Sequence, residues 1–109
     1  MYFSSTNCLS AGIDYTKGTR KELTSSTAQS ALGWTHYAIT YDGAAFIMYV
    51  NGKVDKSASV TGASGDTSQH YLGKYANANA TFVGYLDGAK LFNRALTPSE
   101  IEAVYNLAK

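Results

Sequence analysis

The chain has 109 residues, of which 45% are hydrophobic and 16% charged, and its formal net charge is +1. This length and composition predict one globular domain with a single core, and the near-neutral, evenly spread charge argues against a nucleic-acid partner. No apolar run approaches the roughly 20 residues of a membrane span, and residues 1–20 carry no signal-peptide pattern. Because Cys8 is the only cysteine, an internal disulfide and a cysteine-rich zinc site are excluded, and we interpret Cys8 as a small buried hydrophobe.

The N-terminal third carries the weakest pattern. Residues 1–7 and 9–16 are predicted to form two short strands. One face of the second strand would hold the alternating apolar residues Leu9, Ala11, Ile13 and Tyr15. Residues 17–33 are polar and irregular, with one further strand predicted near Leu23.

From Gly33 onward the pattern predicts a series of hairpins. The stretch WTHYAITY, residues 34–41, alternates as a strand does, with Tyr37, Ile39 and Tyr41 on one face and Trp34, His36, Ala38 and Thr40 on the other. Asp42-Gly43 and Asn51-Gly52 then bracket a short apolar run, and both dipeptides supply the positive φ angles of tight turns. The run is therefore predicted to be a strand between two hairpins.

The next segments predict further strands separated by polar loops. Residues 53–60 resemble an edge strand in which Val54 alternates with small and polar residues. A loop at 61–69 precedes the short strand HYLGKY, and a second polar loop at 76–81 precedes a long strand predicted over residues 82–93. Strands at this spacing are typical of a sandwich or a barrel.

The C-terminal segment LTPSEIEAVYNLA predicts a helix. Thr97 can cap it, Pro98 fits its first position, and Glu100 completes a capping box. Leu96 and Ile101 stand in the positions of a hydrophobic staple. An apolar stripe for docking on the sheet is predicted at Ile101, Val104, Tyr105 and Ala108.

The ordered set of these motifs resembles the laminin G-like, or concanavalin A-like, lectin and glucanase family. The matching stretches are WTHYAITYDG at 34–43, IMYVNGK at 47–53, YLGKY at 71–75 and GYLDGAKLFNRALTPSEIEAVYN at 84–106. The resemblance implies an all-β, antiparallel two-sheet jelly-roll sandwich with one short C-terminal α-helix, in which the Asp42–Gly52 hairpins form a meander. It also implies that Asp87 bonds backbone in a nearby turn.

Residues 1–33 fit this family poorly, and its domains are usually longer on the N-terminal side. We therefore expect residues 1–109 to be a single domain that is either shortened or the C-terminal part of a larger one. An incomplete jelly roll would expose strand edges. Such a chain is expected to form a homo-oligomer or to belong to a longer polypeptide.

Catalysis is not predicted. Glucanases of the resembled family need two glutamates facing each other across a groove. Here Glu22 lies in a polar stretch, and Glu100 and Glu102 are two positions apart on a helix, so they point to different faces. His36 is interpreted as a hydrogen-bonded core histidine within its strand.

Calcium is the one cofactor that the sequence leaves open. A calcium site needs six to eight oxygen ligands, commonly from two loops at one end of a sandwich. The candidate ligands are Asp66, Asn77, Asn79 and Asp14. The alternative is that these are turn residues bonding their own backbone.

Sugar binding would require an aromatic face together with nearby amides and hydroxyls. The candidate ligand-binding residues are Asp66, Gln69, His70, Tyr71, Tyr75, Asn77, Asn79 and Tyr85. The leading hypothesis is a non-catalytic recognition module that binds a glycan, or a protein surface, through residues 61–70 and 76–81. The alternative is a structural or assembly module of a surface, phage or virion protein. Either would act outside the cell, at its surface or on a virion.

Overall fold

The computed structural model describes residues 2–3, 8–16, 19–28, 33–61 and 85–108. Within these ranges the chain forms strands followed by one helix. The strands are β1 (Tyr2–Phe3), β2 (Leu9–Thr16), β3 (Thr19–Thr24), β4 (Tyr37–Tyr41), β5 (Ala45–Val50) and β6 (Lys53–Ser59), and the helix is α1 (Pro98–Ala108).

The strands form two antiparallel sheets. Sheet A has the order β1-β2-β3, and sheet B has the order β4-β5-β6. The predicted strand between two hairpins is β5, the middle strand of sheet B. The strand predicted near Leu23 is β3, so the weakly patterned N-terminal third supplies the three described strands of sheet A.

A main core lies between the two sheets. Sheet A contributes Leu9, Ala11 and Leu23, and sheet B contributes Phe46 and Met48. The opposite face of β5 carries Ile47 and Tyr49, which pack with Leu96, Ile101 and Val104 around α1. The described residues therefore stack in three layers, with sheet B in the middle, and both faces of β5 are covered.

The two turns beside β5 have the predicted backbone conformation. Gly43 has a φ of 95°, and Asp42 Oδ1 accepts hydrogen bonds from the N–H groups of Ala44 at 2.9 Å and Ala45 at 2.7 Å. These backbone donors lower the pKa of Asp42. Asn51 and Gly52 have φ values of 51° and 80°, and positive values at both positions are typical of a type I′ hairpin turn.

The capping box of α1 forms as predicted. Glu100 N–H donates to Thr97 Oγ1 at 3.2 Å, and Thr97 N–H donates to Glu100 Oε1 at 3.0 Å. Arg94 Nη1 also donates to Glu100 Oε1 at 2.8 Å. Hydrogen bonds from Arg94 and from the Thr97 backbone hold the pKa of Glu100 at about 2, below its ordinary 4.5. These hydrogen bonds fix the start of α1 directly after Thr97.

The prediction of a long strand over residues 82–93 is wrong for residues 85–93, the part that the structure describes. Residues 85–93 form neither a strand nor a helix, and their side chains are exposed. A strand needs a hydrogen-bonded neighbour, and no described residue pairs with this segment. Asp87 is exposed, and its expected hydrogen bond to a turn is not found among the described residues.

Other corrections concern the ends of elements. The strand predicted from Trp34 begins at Tyr37 as β4, so His36 precedes it and Trp34 lies in the loop. The apolar stripe of α1 ends at Tyr105, because Ala108 is exposed.

Cys8 is half-buried just before β2, whereas the sequence analysis interpreted it as buried. The predicted strand HYLGKY and the loop at 76–81 lie outside the described residues.

Candidate functional site

Most of the predicted ligand-binding residues lie outside the described ranges. These are Asp66, Gln69, His70, Tyr71, Tyr75, Asn77 and Asn79. Of the predicted loop rim, only Thr61 is described. Asp14 lies in β2 in register with Arg20, and the position of its side chain is outside the description. The predicted calcium and glycan sites therefore stay predictions.

Tyr85 is the predicted site residue whose side chain the structure describes. It follows the undescribed segment 62–84 directly, and 84% of its surface is exposed. An aromatic side chain this exposed is free to stack on the apolar face of a sugar ring or to pack on a protein partner. Its exposure agrees with a contact role and differs from the buried position usual for a strand tyrosine.

Trp34 is a second exposed aromatic residue. The sequence pattern predicted it on one face of a strand, and it was not among the candidate ligand-binding residues. Its exposed fraction is 76%, and it lies in the loop before β4. Thr35 Oγ1 donates to the Gly33 carbonyl at 2.9 Å, which shapes this loop as a local turn. The glycine before Trp34 was the available signal that the strand starts later.

The three glutamates do not form a catalytic pair. Glu22 lies on β3 in sheet A, while Glu100 and Glu102 lie on α1, on the far side of sheet B. Glu22 and the helix therefore lie in different layers with sheet B between them, whereas the carboxylates of a glycosidase face each other across one groove. Glu100 is also occupied by Arg94 and the Thr97 backbone.

Two aspartates accept hydrogen bonds from backbone N–H groups and so have structural roles. Asp42 fixes the first hairpin turn, as described above. Asp55 Oδ2, on β6, accepts from the Ser26 N–H at 2.9 Å and so links sheet B to the end of sheet A. Within the described ranges, no three His, Cys, Asp or Glu side chains come together as a metal site would require.

His36 does not have the environment that the sequence predicted. Its backbone N–H donates to Asn51 Oδ1, and its carbonyl accepts from the Asn51 N–H, at 2.9 Å and 2.8 Å. The ring Nδ1 is buried and no described residue hydrogen-bonds to it, so the interpretation as a hydrogen-bonded core histidine is wrong for the side chain. Burial, followed by the positive charge of Lys90, lowers the pKa of His36 from 6.5.

Within the described part of the chain, no helix has the length and apolar character needed to cross a membrane. No curated protein is significantly similar to this chain.

A solved structure is similar in fold and sequence. It is the 2.1 Å crystal structure of an S-layer domain-containing protein, residues 221–444, from Clostridium thermocellum ATCC 27405. The two chains are 28% identical with a TM-score of 0.61, over 79% of this chain and 45% of the other. This chain therefore spans less than half the length of that structure.

The family model of the concanavalin A-like lectin/glucanases superfamily, Laminin_G_3, matches residues 1–102. The match includes residues 1–33, where the sequence motifs had indicated a poor fit, and sheet A lies in that part of the chain. Two antiparallel sheets and a short C-terminal helix agree with the sandwich of that superfamily. The chain belongs to the concanavalin A-like lectin/glucanases superfamily.

Proposed function

We propose that this domain is a non-catalytic recognition module that binds carbohydrate through loops at one end of its sandwich. The observation that carries the proposal is the match to the lectin and glucanase superfamily over residues 1–102. Fold alone does not assign a function. The proposal therefore also depends on what the described side chains can and cannot do.

The described side chains favour binding over catalysis. The glutamates lie in different layers, and Glu100 is held by the helix cap. Tyr85 presents an exposed ring next to residues 62–84, which contain the amide and hydroxyl groups expected to bind sugar hydroxyls. The described part of the chain therefore offers an exposed aromatic side chain, and its three glutamates form no pair for hydrolysis.

A glycan array, probed with calcium and again with a chelator, tests the proposal. We expect binding to at least one glycan class, and we expect Tyr85→Ala to weaken it by roughly tenfold, in keeping with about 1 to 1.5 kcal/mol for one aromatic contact. Leu91→Ala is the matched control, because Leu91 is similarly exposed but lies six residues farther along the chain from residues 62–84. Loss of binding in the chelator would assign calcium to the site.

Hydrolysis is the outcome that contradicts the non-catalytic part of the proposal. Turnover of a β-glucan, retained when Glu22, Glu100 and Glu102 are all replaced by alanine, would show that other residues form a catalytic site. Binding without turnover is the expected result.

A second candidate function is a structural or assembly module of a surface protein. It is favoured by the likeness to an S-layer domain-containing protein. In that case the domain would belong to a longer polypeptide or associate with copies of itself at the cell surface. The discriminating result is an absence of glycan binding in both array conditions, together with concentration-dependent association in light scattering.

A further inference from the structure

The contact between α1 and sheet B contains two buried polar atoms to which no described residue hydrogen-bonds. Tyr49 is only 1% exposed, and its hydroxyl makes no hydrogen bond within the described ranges. The Nδ1 of His36 is the second such atom. A buried polar group without a partner lowers the free energy gained by packing, so this contact is weaker than its apolar area implies.

The side chain of Tyr105, on α1, packs against the ring of His36. The two rings lie 5.8 Å apart between centroids, with 49° between their planes. The same tyrosine covers the turn after β5, because a Cβ at Gly52 would lie only 2.9 Å from Tyr105 Cδ1. The position of the imidazole and the seating of α1 are therefore coupled through one side chain.

The environment of His36 suits the neutral imidazole and not the imidazolium. A protonated ring carries a hydrogen on both nitrogens, and the described part of the chain supplies no acceptor for the one on the buried Nδ1. Tyr105 on α1 lies against the ring, Asn51 in the turn accepts a hydrogen bond from the His36 backbone, and Lys90 precedes the helix. Among the described residues, the charge that acts on the ring is that of Lys90, which repels a second positive charge.

We propose that His36 makes the docking of α1 sensitive to acid, so that protonation of its imidazole loosens the helix and uncovers the apolar face of Ile47 and Tyr49. This inference is independent of the proposed glycan binding. When the helix loosens, the ring reaches solvent and its usual affinity for a proton returns. The docked state then binds fewer protons than the loosened state, so docking weakens as the pH falls below about 6.5.

Hydrogen exchange of the α1 amides, measured by NMR at about pH 7.5 and about pH 5.5 and corrected for intrinsic rates, tests this proposal. Protection at Val104 and Tyr105 should fall by up to about tenfold, because the lower pH lies about one unit below the ordinary His36 pKa of 6.5. Protonation of Glu100 does not contribute in this pH window. The pKa of its carboxyl is about 2 in the docked helix and 4.5 ordinarily, and both values lie below pH 5.5.

Three variants make the test specific. His36→Phe keeps an aromatic ring against Tyr105 but cannot titrate, so its α1 protection should not change with pH. His70→Gln removes the only other histidine and should leave the response unchanged. Lys90→Gln should raise the titration midpoint of His36 and reduce the loss of protection.

Equal α1 protection at both pH values in the natural chain would overturn the proposal. The same loss of protection in His36→Phe as in the natural chain would do so as well. If His36→Phe does not fold, the NMR titration of the His36 ring decides, because a loss of α1 protection whose midpoint differs from the titration midpoint of that ring would contradict a role for His36.

Discussion

β5 and residues 85–92 are both rich in aromatic and aliphatic side chains, but their environments are opposite. In β5, Phe46 is completely buried, while in the second segment Leu91 is 90% exposed. β5 has a hydrogen-bonded strand on each edge and a packed layer on each face. Residues 85–92 have no strand partner among the described residues. Strand-forming side chains therefore form a strand only where neighbouring elements supply both hydrogen bonds and a covering layer.

The turns explain why β5 has these neighbours. Asp42-Gly43 and Asn51-Gly52 reverse the chain at both ends of β5, so β4 and β6 pair with it at little cost in loop-closure entropy. Residues 85–92 contain Asp87-Gly88, and Gly88 has a positive φ of 65°, but no hairpin forms there in the described structure. A turn dipeptide needs two pairing strands around it before it produces a hairpin.

The largest effect on stability is expected from replacing a phenylalanine by alanine in β5, compared with the same replacement in residues 85–92. Phe46→Ala should cost about 3 to 5 kcal/mol of unfolding free energy, because it empties a site in the core between the sheets. Phe92→Ala should cost about 1 kcal/mol or less, because about half of the Phe92 side chain is already in water. Urea unfolding followed by circular dichroism measures both. Similar losses would show that residues 85–92 are buried in solution.

The second prediction concerns the layer formed by α1. Ile101→Ala should cost roughly 2 to 5 kcal/mol, because Ile101 is buried against Tyr49 and Leu96. Leu107→Ala on the same helix is the control and should be close to neutral, because that side chain is exposed. Equal and negligible losses in thermal or urea unfolding would mean that α1 is not docked.

The third prediction separates turn geometry from helix packing. Gly43→Ala and Gly52→Ala both place a Cβ on a residue with positive φ, at a cost of about 1 to 2 kcal/mol each. Only the second also meets Tyr105, so Gly52→Ala should be the more damaging by about 1 kcal/mol.

A double-mutant cycle checks the source of that difference. In a Tyr105→Ala background the excess cost of Gly52→Ala should disappear, because the close contact has been removed. An excess that persists would place its origin in the turn itself.

The smallest expected effect is at the helix cap. Thr97→Ala removes the acceptor for the Glu100 N–H and should cost about 1 kcal/mol. Thr97→Ser keeps a hydroxyl and should recover most of that stability. If Thr97→Ser is as damaging as Thr97→Ala in the same unfolding assay, the hydroxyl is not the stabilising group.

Local chemistry made much of the fold predictable from the sequence. The two turns, β5 between them and the capped helix all depend on residues close together in the chain, and all were predicted. Sheet A was predicted only as isolated strands, because its packing depends on Leu9, Ala11 and Leu23 meeting Phe46 and Met48 from a distant part of the chain.

The failures have a physical reason as well. Residues 85–93 have the composition of a strand, but composition cannot report whether a neighbouring strand is present. The alternation that includes Trp34 and His36 continues past the point where β4 begins, so periodicity alone placed the boundary three residues too early. The candidate glycan and calcium residues stay untested, since nearly all of them lie between residues 62 and 84.

Amide NMR of the labelled domain, titrated with the best glycan from the array, tests the central claim of recognition by loops at one end of the sandwich. We expect chemical-shift changes in residues 61–70 and 76–81 and at Tyr85, with none in α1. Hydrolysis of the glycan should not occur during the titration. Shift changes confined to α1, or no change with any glycan tested, would contradict the account.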